Sequence, residues 1–167
     1  MLYIPEINHN LKRVSMNYYR LPEFLSQKKI SELLQIADNL TYDDYYHHVS
    51  SVSGRASPLN FYELKGQSFL GKKTALLMIL PNQTQEWHTD IKTVRTTVMI
   101  YPLTNNYAPC CIGDDKITHP AFVNVQEKHA VFNNDTTRIN LQASFIEPIE
   151  ECIEMFNHAK THDIVEQ

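Results

Sequence analysis

The segment "EWHTDIKTVRTTVMIYPLT" places His88-Thr89-Asp90 at the head of a β-type run. On an extended strand, residues i and i+2 point to the same face. One imidazole and one carboxylate therefore stand side by side, spaced as two ligands of a single ion would be. A third ligand has to come from another segment. His129, in "EKHAVFNN", opens a later run that an adjacent strand can bring across. Two histidines and one carboxylate on one face of an ion, with other positions open, form the ligand set of non-haem ferrous oxygenation. His88, Asp90 and His129 are the expected metal and catalytic residues.

Arg138 follows nine positions after His129, past the turn "NNDT", and opens "RINLQASF". That run alternates: Arg138, Asn140, Gln142 and Ser144 share one face, and Ile139, Leu141, Ala143 and Phe145 share the other. An arginine followed by three uncharged hydrogen-bonding residues suits the wall of a pocket for a polar anion. A guanidinium presents a rigid fork that matches a carboxylate. 2-Oxoglutarate needs such a grip on its distal carboxylate while its keto-acid end chelates iron.

These residues need a scaffold of short strands, and the second half of the chain supplies one. From residue 73 the runs "KTALLMIL", "RTTVMIYPL", "PCCI", "AFVNV", "HAVF" and "RINLQASF" are separated by "PNQT", "TNN", "GDD" and "NNDT". Regular short strands predict a sandwich or barrel, with a jelly roll the compact option, so the expected fold is mainly β with flanking helices, a double-stranded β-helix (jelly roll, cupin-like). Ile30, Leu33, Leu34 and Ala37 lie at helical spacing within 22–39, with Ser26 as N-cap and Asn39 as the stop. Ile149, Cys152, Ile153 and Phe156 repeat that spacing after Pro148. The chain reads as a single domain over 1–167: N-terminal helical and irregular support to residue 72, the β-helix core over 73–146, and a closing helix over 147–167.

The H-x-D, the distal histidine and the arginine nine residues beyond it resemble the Fe(II)/2-oxoglutarate-dependent oxygenase superfamily over residues 74–145. "HTDIKTVRTTVMIYPL" resembles prolyl hydroxylases, and "LMILPNQTQEWHTD" with "HAVFNNDTTRINLQASF" is similar to the aspartyl/asparaginyl hydroxylase-like branch. Arg138-Ile139-Asn140 is also similar to the alkylation-repair dioxygenases. The resemblance implies Fe(II) held by His88, Asp90 and His129, with Arg138 clamping 2-oxoglutarate. It adds Asn140 and Tyr101 as cosubstrate contacts and Arg95 as a contact for cosubstrate or substrate. It implies a hydroxylase that consumes O2 and converts 2-oxoglutarate to succinate and CO2. The substrate it implies is an amino-acid side chain, free or within a peptide or protein, or another small molecule. A carboxylate at Asp90 favours hydroxylation over halide chemistry, which uses a vacancy there.

Two competing readings use fewer of these residues. A cupin-like metalloenzyme without cosubstrate keeps the metal triad but has no need of Arg138. A metal-free β-sandwich binding module needs neither.

The remaining features point to ordinary roles. His47-His48 reads as a solvated pair with a possible place at the site entrance, and 41–58 as a connector. His119 reads as a turn residue, while His158 and His162 fall on or after the last helix. Trp87 points away from His88 as packing, Cys110-Cys111 read as small buried residues, and Tyr18-Tyr19 and Tyr45-Tyr46 as core-packing pairs. A net charge of −4 with no Lys/Arg block argues against a nucleic-acid groove. Three cysteines without a C-x-x-C spacing fit a reducing, cytoplasmic setting. "MLYIPEINHNLKRV" has no signal-peptide core, and "TALLMIL" is too short to span a bilayer.

Overall fold

The structure, a computed structural model, describes residues 16–50, 53–162 and 165–166, so the opening segment "MLYIPEINHNLKRV" lies outside the described residues. The chain begins with strand β1 (Tyr18–Arg20) and helix α1 (Gln27–Asn39). A 3-10 turn at Tyr42–Asp44 leads into β2 (Tyr46–Val49), β3 (Ala56–Phe69) and β4 (Lys72–Ile79). Then come β5 (Thr84–His88), β6 (Thr97–Pro102), β7 (Cys110–Ile112), β8 (Asp115–Ile117) and β9 (Ala121–Asn124). The chain closes with β10 (His129–Phe132), β11 (Arg138–Phe145), α2 (Ile149–His158) and β12 (Val165–Glu166).

Among the described residues these strands form two antiparallel sheets. The larger runs β1-β9-β6-β11-β4-β3-β12, with β2 on β3, and the smaller runs β5-β10-β7-β8. This is the expected jelly roll. Its β structure starts earlier than the sequence texture indicates, because β3 covers Ala56–Phe69 within the stretch read as irregular support. Pro58 and Gly66 break up that segment as a sequence signal. Its neighbours, moreover, cover both faces: Leu59 and Phe61 meet Leu77, Ile79 and Val131, while Leu64 and Phe69 join the helix-side core. A strand packed on both sides shows no apolar–polar alternation. The β3–β4 hairpin turns on Leu70 and Gly71, both at positive φ, between paired Phe69 and Lys72. That is a tight two-residue turn with a leucine where glycine or asparagine is usual.

The larger sheet separates two apolar layers. Its outer face carries Phe69, Leu76, Met99, Phe122, Leu141 and Phe145 against Leu33 of α1 and Cys152 and Phe156 of α2. Fully burying such a side chain contributes about 1.5–3 kcal/mol. Ser26 caps α1 as expected, its hydroxyl accepting from the Lys29 amide at 3.1 Å. On the inner face, Val98, Ile100 and Val123 meet Cys110, Ile112 and Ile117 of the smaller sheet. Strands β4 and β6 present apolar side chains to both layers, whereas β11 presents Arg138, Asn140 and Gln142 to the interior. No described helix is long and apolar enough to cross a membrane.

Candidate metal centre and anion pocket

Strands β5 and β10 are neighbours in the smaller sheet, and their register pairs His88 directly with His129. Asp90 lies just past the end of β5, its amide donating to the Val125 carbonyl at 2.8 Å. One ligand atom from each of the three residues lies within 4.8 Å of the others. Asp90 Oδ1 is 3.5 Å from His88 Nε2 and 3.9 Å from His129 Nε2.

The two imidazoles are oriented alike. His88 Nδ1 donates to the Glu86 carbonyl at 2.7 Å, and His129 Nδ1 donates to the Glu127 carbonyl at 2.9 Å. A carbonyl only accepts, so each Nδ1 carries the proton and each Nε2 presents a lone pair to the centre. Burial lowers the His129 pKa, which keeps its ring neutral and available as a ligand. Gln85 adds a contact absent from the sequence reading: its side-chain amide donates to the lone pair of His88 Nε2 at 3.0 Å, a contact that an ion at the centre would displace.

A cleft between the sheets, about 510 Å³ with its open mouth included, joins this centre to Arg138. The Arg138 side chain is almost completely buried, at 2% exposure. Its Nε donates to the Ala108 carbonyl at 2.8 Å, and Nη1 donates to Asn140 Oδ1 at 3.0 Å. The guanidinium carbon lies 4.0 Å from the ring centre of Tyr107, whose hydroxyl donates to Asn140 Oδ1 at 3.1 Å. Burial pushes the Tyr107 phenol up to about 12 and the Cys110 thiol up to about 11, so both stay neutral beside the cation. Among the described residues no carboxylate lies within ion-pair range of Arg138. A buried charge without a counter-ion is costly, so an anion at this end of the cleft would be favoured.

Two expected contacts are placed elsewhere. Tyr101 belongs to the helix-side core, edge-on to Phe24 at 5.0 Å, because it shares the outward face of β6 with Met99. Arg95 is directed at a metal-site carboxylate instead of an open anion position. Its Nε and Nη2 donate to Asp90 Oδ2 at 3.0 and 2.7 Å. Asn140 does line the cleft, with its oxygen turned to Arg138 and Tyr107.

His47 and His48 are not a solvated pair. His47 stacks on Tyr42 and meets Asn60 Oδ1 at 2.6 Å. A register shift between His47 and Val49 turns His48 edge-on to cleft-lining Phe61. There burial lowers its pKa, and the charges of Arg95, Asp90 and His88 act on it. Trp87 faces outward as expected, packed edge-on with Phe132 on the outer side of the smaller sheet. Tyr107 and Gln85 carry no spacing signal in the sequence; only the folded chain brings them to Arg138 and His88.

The sequence matches no protein-family model and no curated protein. The architecture does match solved structures. A prolyl-4-hydroxylase from Pseudomonas putida superposes with a TM-score of 0.59 at 12% identity, covering 77% of this chain and 91% of that one. A prolyl hydroxylase from Trichoplax adhaerens, in complex with a hypoxia inducible factor peptide fragment, superposes at 0.62 and 11% identity over 86% and 88%. The viral collagen prolyl hydroxylase of Paramecium Bursaria Chlorella virus-1, in a 2OG complex, gives 0.52 and 11% over 77% and 95%. At such identities the likeness defines the fold, a double-stranded β-helix shared with 2-oxoglutarate/iron hydroxylases.

Proposed function

We propose that this chain is an Fe(II)- and 2-oxoglutarate-dependent dioxygenase that hydroxylates a C–H bond of an amino-acid side chain, free or within a polypeptide. The observation that carries this reading is Arg138, a buried guanidinium lacking a carboxylate partner among the described residues, in the cleft that Asp90 and His129 also line. A cupin-like metalloenzyme without cosubstrate would use the three ligands but leave that charge uncompensated.

The residues present fit both groups. His88 Nε2, His129 Nε2 and Asp90 Oδ1 would hold ferrous iron, and the carbonyls of Glu86 and Glu127 keep both rings in the tautomer that ligation needs. Arg138 would receive the distal carboxylate of 2-oxoglutarate. Asn140 and Tyr107 hold the guanidinium in place from one side and from its face. Together the bound iron and cosubstrate supply O2 activation coupled to loss of CO2, leaving succinate and one oxygen atom for the substrate. Leu77, Val98, Val123 and Val131 give the cleft apolar walls that would disfavour water beside that chemistry.

A second depression, lined by Glu63, Lys73, Gln142 and Ser144, shares Phe61, Arg95 and Gln142 with the cleft. Its shared Arg95 and Gln142 border the cleft, and the polar side chains along it support entry of a substrate bearing backbone or side-chain hydrogen-bonding groups. Anaerobic protein loaded with Fe(II) tests the assignment. The expected result is a higher melting temperature on adding 2-oxoglutarate, with succinate formed once O2 is admitted. An unchanged melting curve and no succinate would refute it.

A further inference from the structure

Resting on the metal-centre reading above, we infer that Arg95 is a positioning residue that makes Asp90 a one-oxygen ligand and so keeps a coordination place open for the cosubstrate. The two oxygens of Asp90 have different surroundings. Oδ2 accepts from two nitrogens of Arg95, at 3.0 and 2.7 Å, while Oδ1 faces the ligand nitrogens of His88 and His129 at 3.5 and 3.9 Å. Hydrogen bonds between ionised groups are about twice as strong as neutral ones. Asp90 is buried, so water is poorly placed to replace them. An ion that chelated both oxygens would have to displace both contacts.

The loop from Asp90 to Thr96 is braced to return the guanidinium to this place. The Asp90 amide donates to the Val125 carbonyl at 2.8 Å, and the Val125 amide donates to the Thr96 carbonyl at 3.1 Å, so both loop ends are tied to one residue. Thr93 donates to the Asp90 carbonyl through its amide and its hydroxyl, each at 2.9 Å. Gln126 Nε2 donates to the Arg95 carbonyl at 2.7 Å.

Denticity matters because the ion has few positions to share. Three single-atom protein ligands would leave positions open on a bound metal for the keto-acid end of 2-oxoglutarate. A second oxygen from Asp90 would occupy one of those places. Without Arg95 the carboxylate can turn both oxygens to the ion, and a nearby positive charge that repels the metal is removed. Metal binding then holds or strengthens while cosubstrate binding suffers.

The test titrates Co(II), and then 2-oxoglutarate, into wild-type, Arg95→Met and Arg95→Lys proteins under anaerobic conditions. Calorimetry and visible absorption provide the readouts. Arg95→Met is expected to bind Co(II) at least as tightly as wild type, with shifted ligand-field bands. Its Kd for 2-oxoglutarate should rise about tenfold or more. Arg95→Lys, which keeps the charge and a single donor, should fall between the two. It also carries the test if the methionine variant does not fold. Weaker Co(II) binding alongside wild-type 2-oxoglutarate affinity overturns the inference, as do variants identical to wild type in both titrations. Wild-type protein that binds no Co(II) overturns the metal centre itself, and the inference with it.

Discussion

His88 and His129 are direct cross-strand partners on β5 and β10, and their rings lie with centroids 4.2 Å apart, tilted by 55°. Two protonated imidazoles at that separation would repel, whereas two neutral ones with their lone pairs turned inward can share a cation. Replacing either histidine with alanine, or Asp90 with asparagine, is expected to abolish stoichiometric Fe(II) binding. Groups that merely orient metal ligands are worth about 10–100-fold in affinity, and these residues supply the ligand atoms themselves. Elemental analysis of anaerobically reconstituted protein checks this, and an Asp90→Asn variant that retains a full equivalent of iron would contradict it.

Arg138→Met separates anion binding from folding. The substitution removes hydrogen bonds to Ala108 and Asn140 but also a buried charge without a counter-ion. These effects oppose one another, so ligand-free stability should stay within about 1–2 kcal/mol of wild type. The stabilisation that 2-oxoglutarate gives the metal-loaded protein should disappear while metal content stays whole. Denaturant unfolding with and without 2-oxoglutarate measures both, and a variant still stabilised by it would show that Arg138 is not the carboxylate receptor.

The metal-free protein should lose stability on mild acidification. Burial lowers the pKa of both His48 and His129 below the ordinary value of 6.5. The unfolded chain therefore takes up protons first, and stability rises with pH across this range. Their contribution is complete above about pH 6.5 and is lost as pH falls from there through the folded-state values. Urea midpoints recorded from pH 7.5 down to 5.5 should decline, and His48→Gln should flatten the slope. A midpoint that climbs on acidification would contradict the assignment.

Ser26→Ala probes the support beneath the sheet. Its hydroxyl caps the Lys29 amide of α1, and losing such a cap typically costs about 1 kcal/mol. Chemical denaturation should show that loss without altering metal or 2-oxoglutarate affinity. A matching drop in cosubstrate binding would mean that the helix layer and the cleft are coupled.

The strands that carry the candidate ligands were legible because alternation along an extended backbone is a local steric property. Arg138 and Asn140 face the cleft, and Leu141 and Phe145 the helices, as the pattern "RINLQASF" requires. The same rule failed for β3, where both faces are covered; Tyr101, which the resemblance offered as a cosubstrate contact, obeys it by sharing the outward face of β6 with Met99. In sequence His48 reads with His47 as a solvated pair with a place at the site entrance; a register shift against β3 turns its ring edge-on to Phe61, and no residue type marks that shift.

The order of residues alone determined that an imidazole and a carboxylate would share a strand end, and that an arginine would head a polar-faced strand, because side-chain direction repeats every second residue. Only the tertiary structure decided that Arg95 holds Asp90, that Tyr107 lies over Arg138, and that Gln85 reaches His88. Those meetings depend on loop return, sheet register and the closing of one sheet over the other. Such long-range geometry is set by the packing of the whole fold and leaves no periodic trace in the chain.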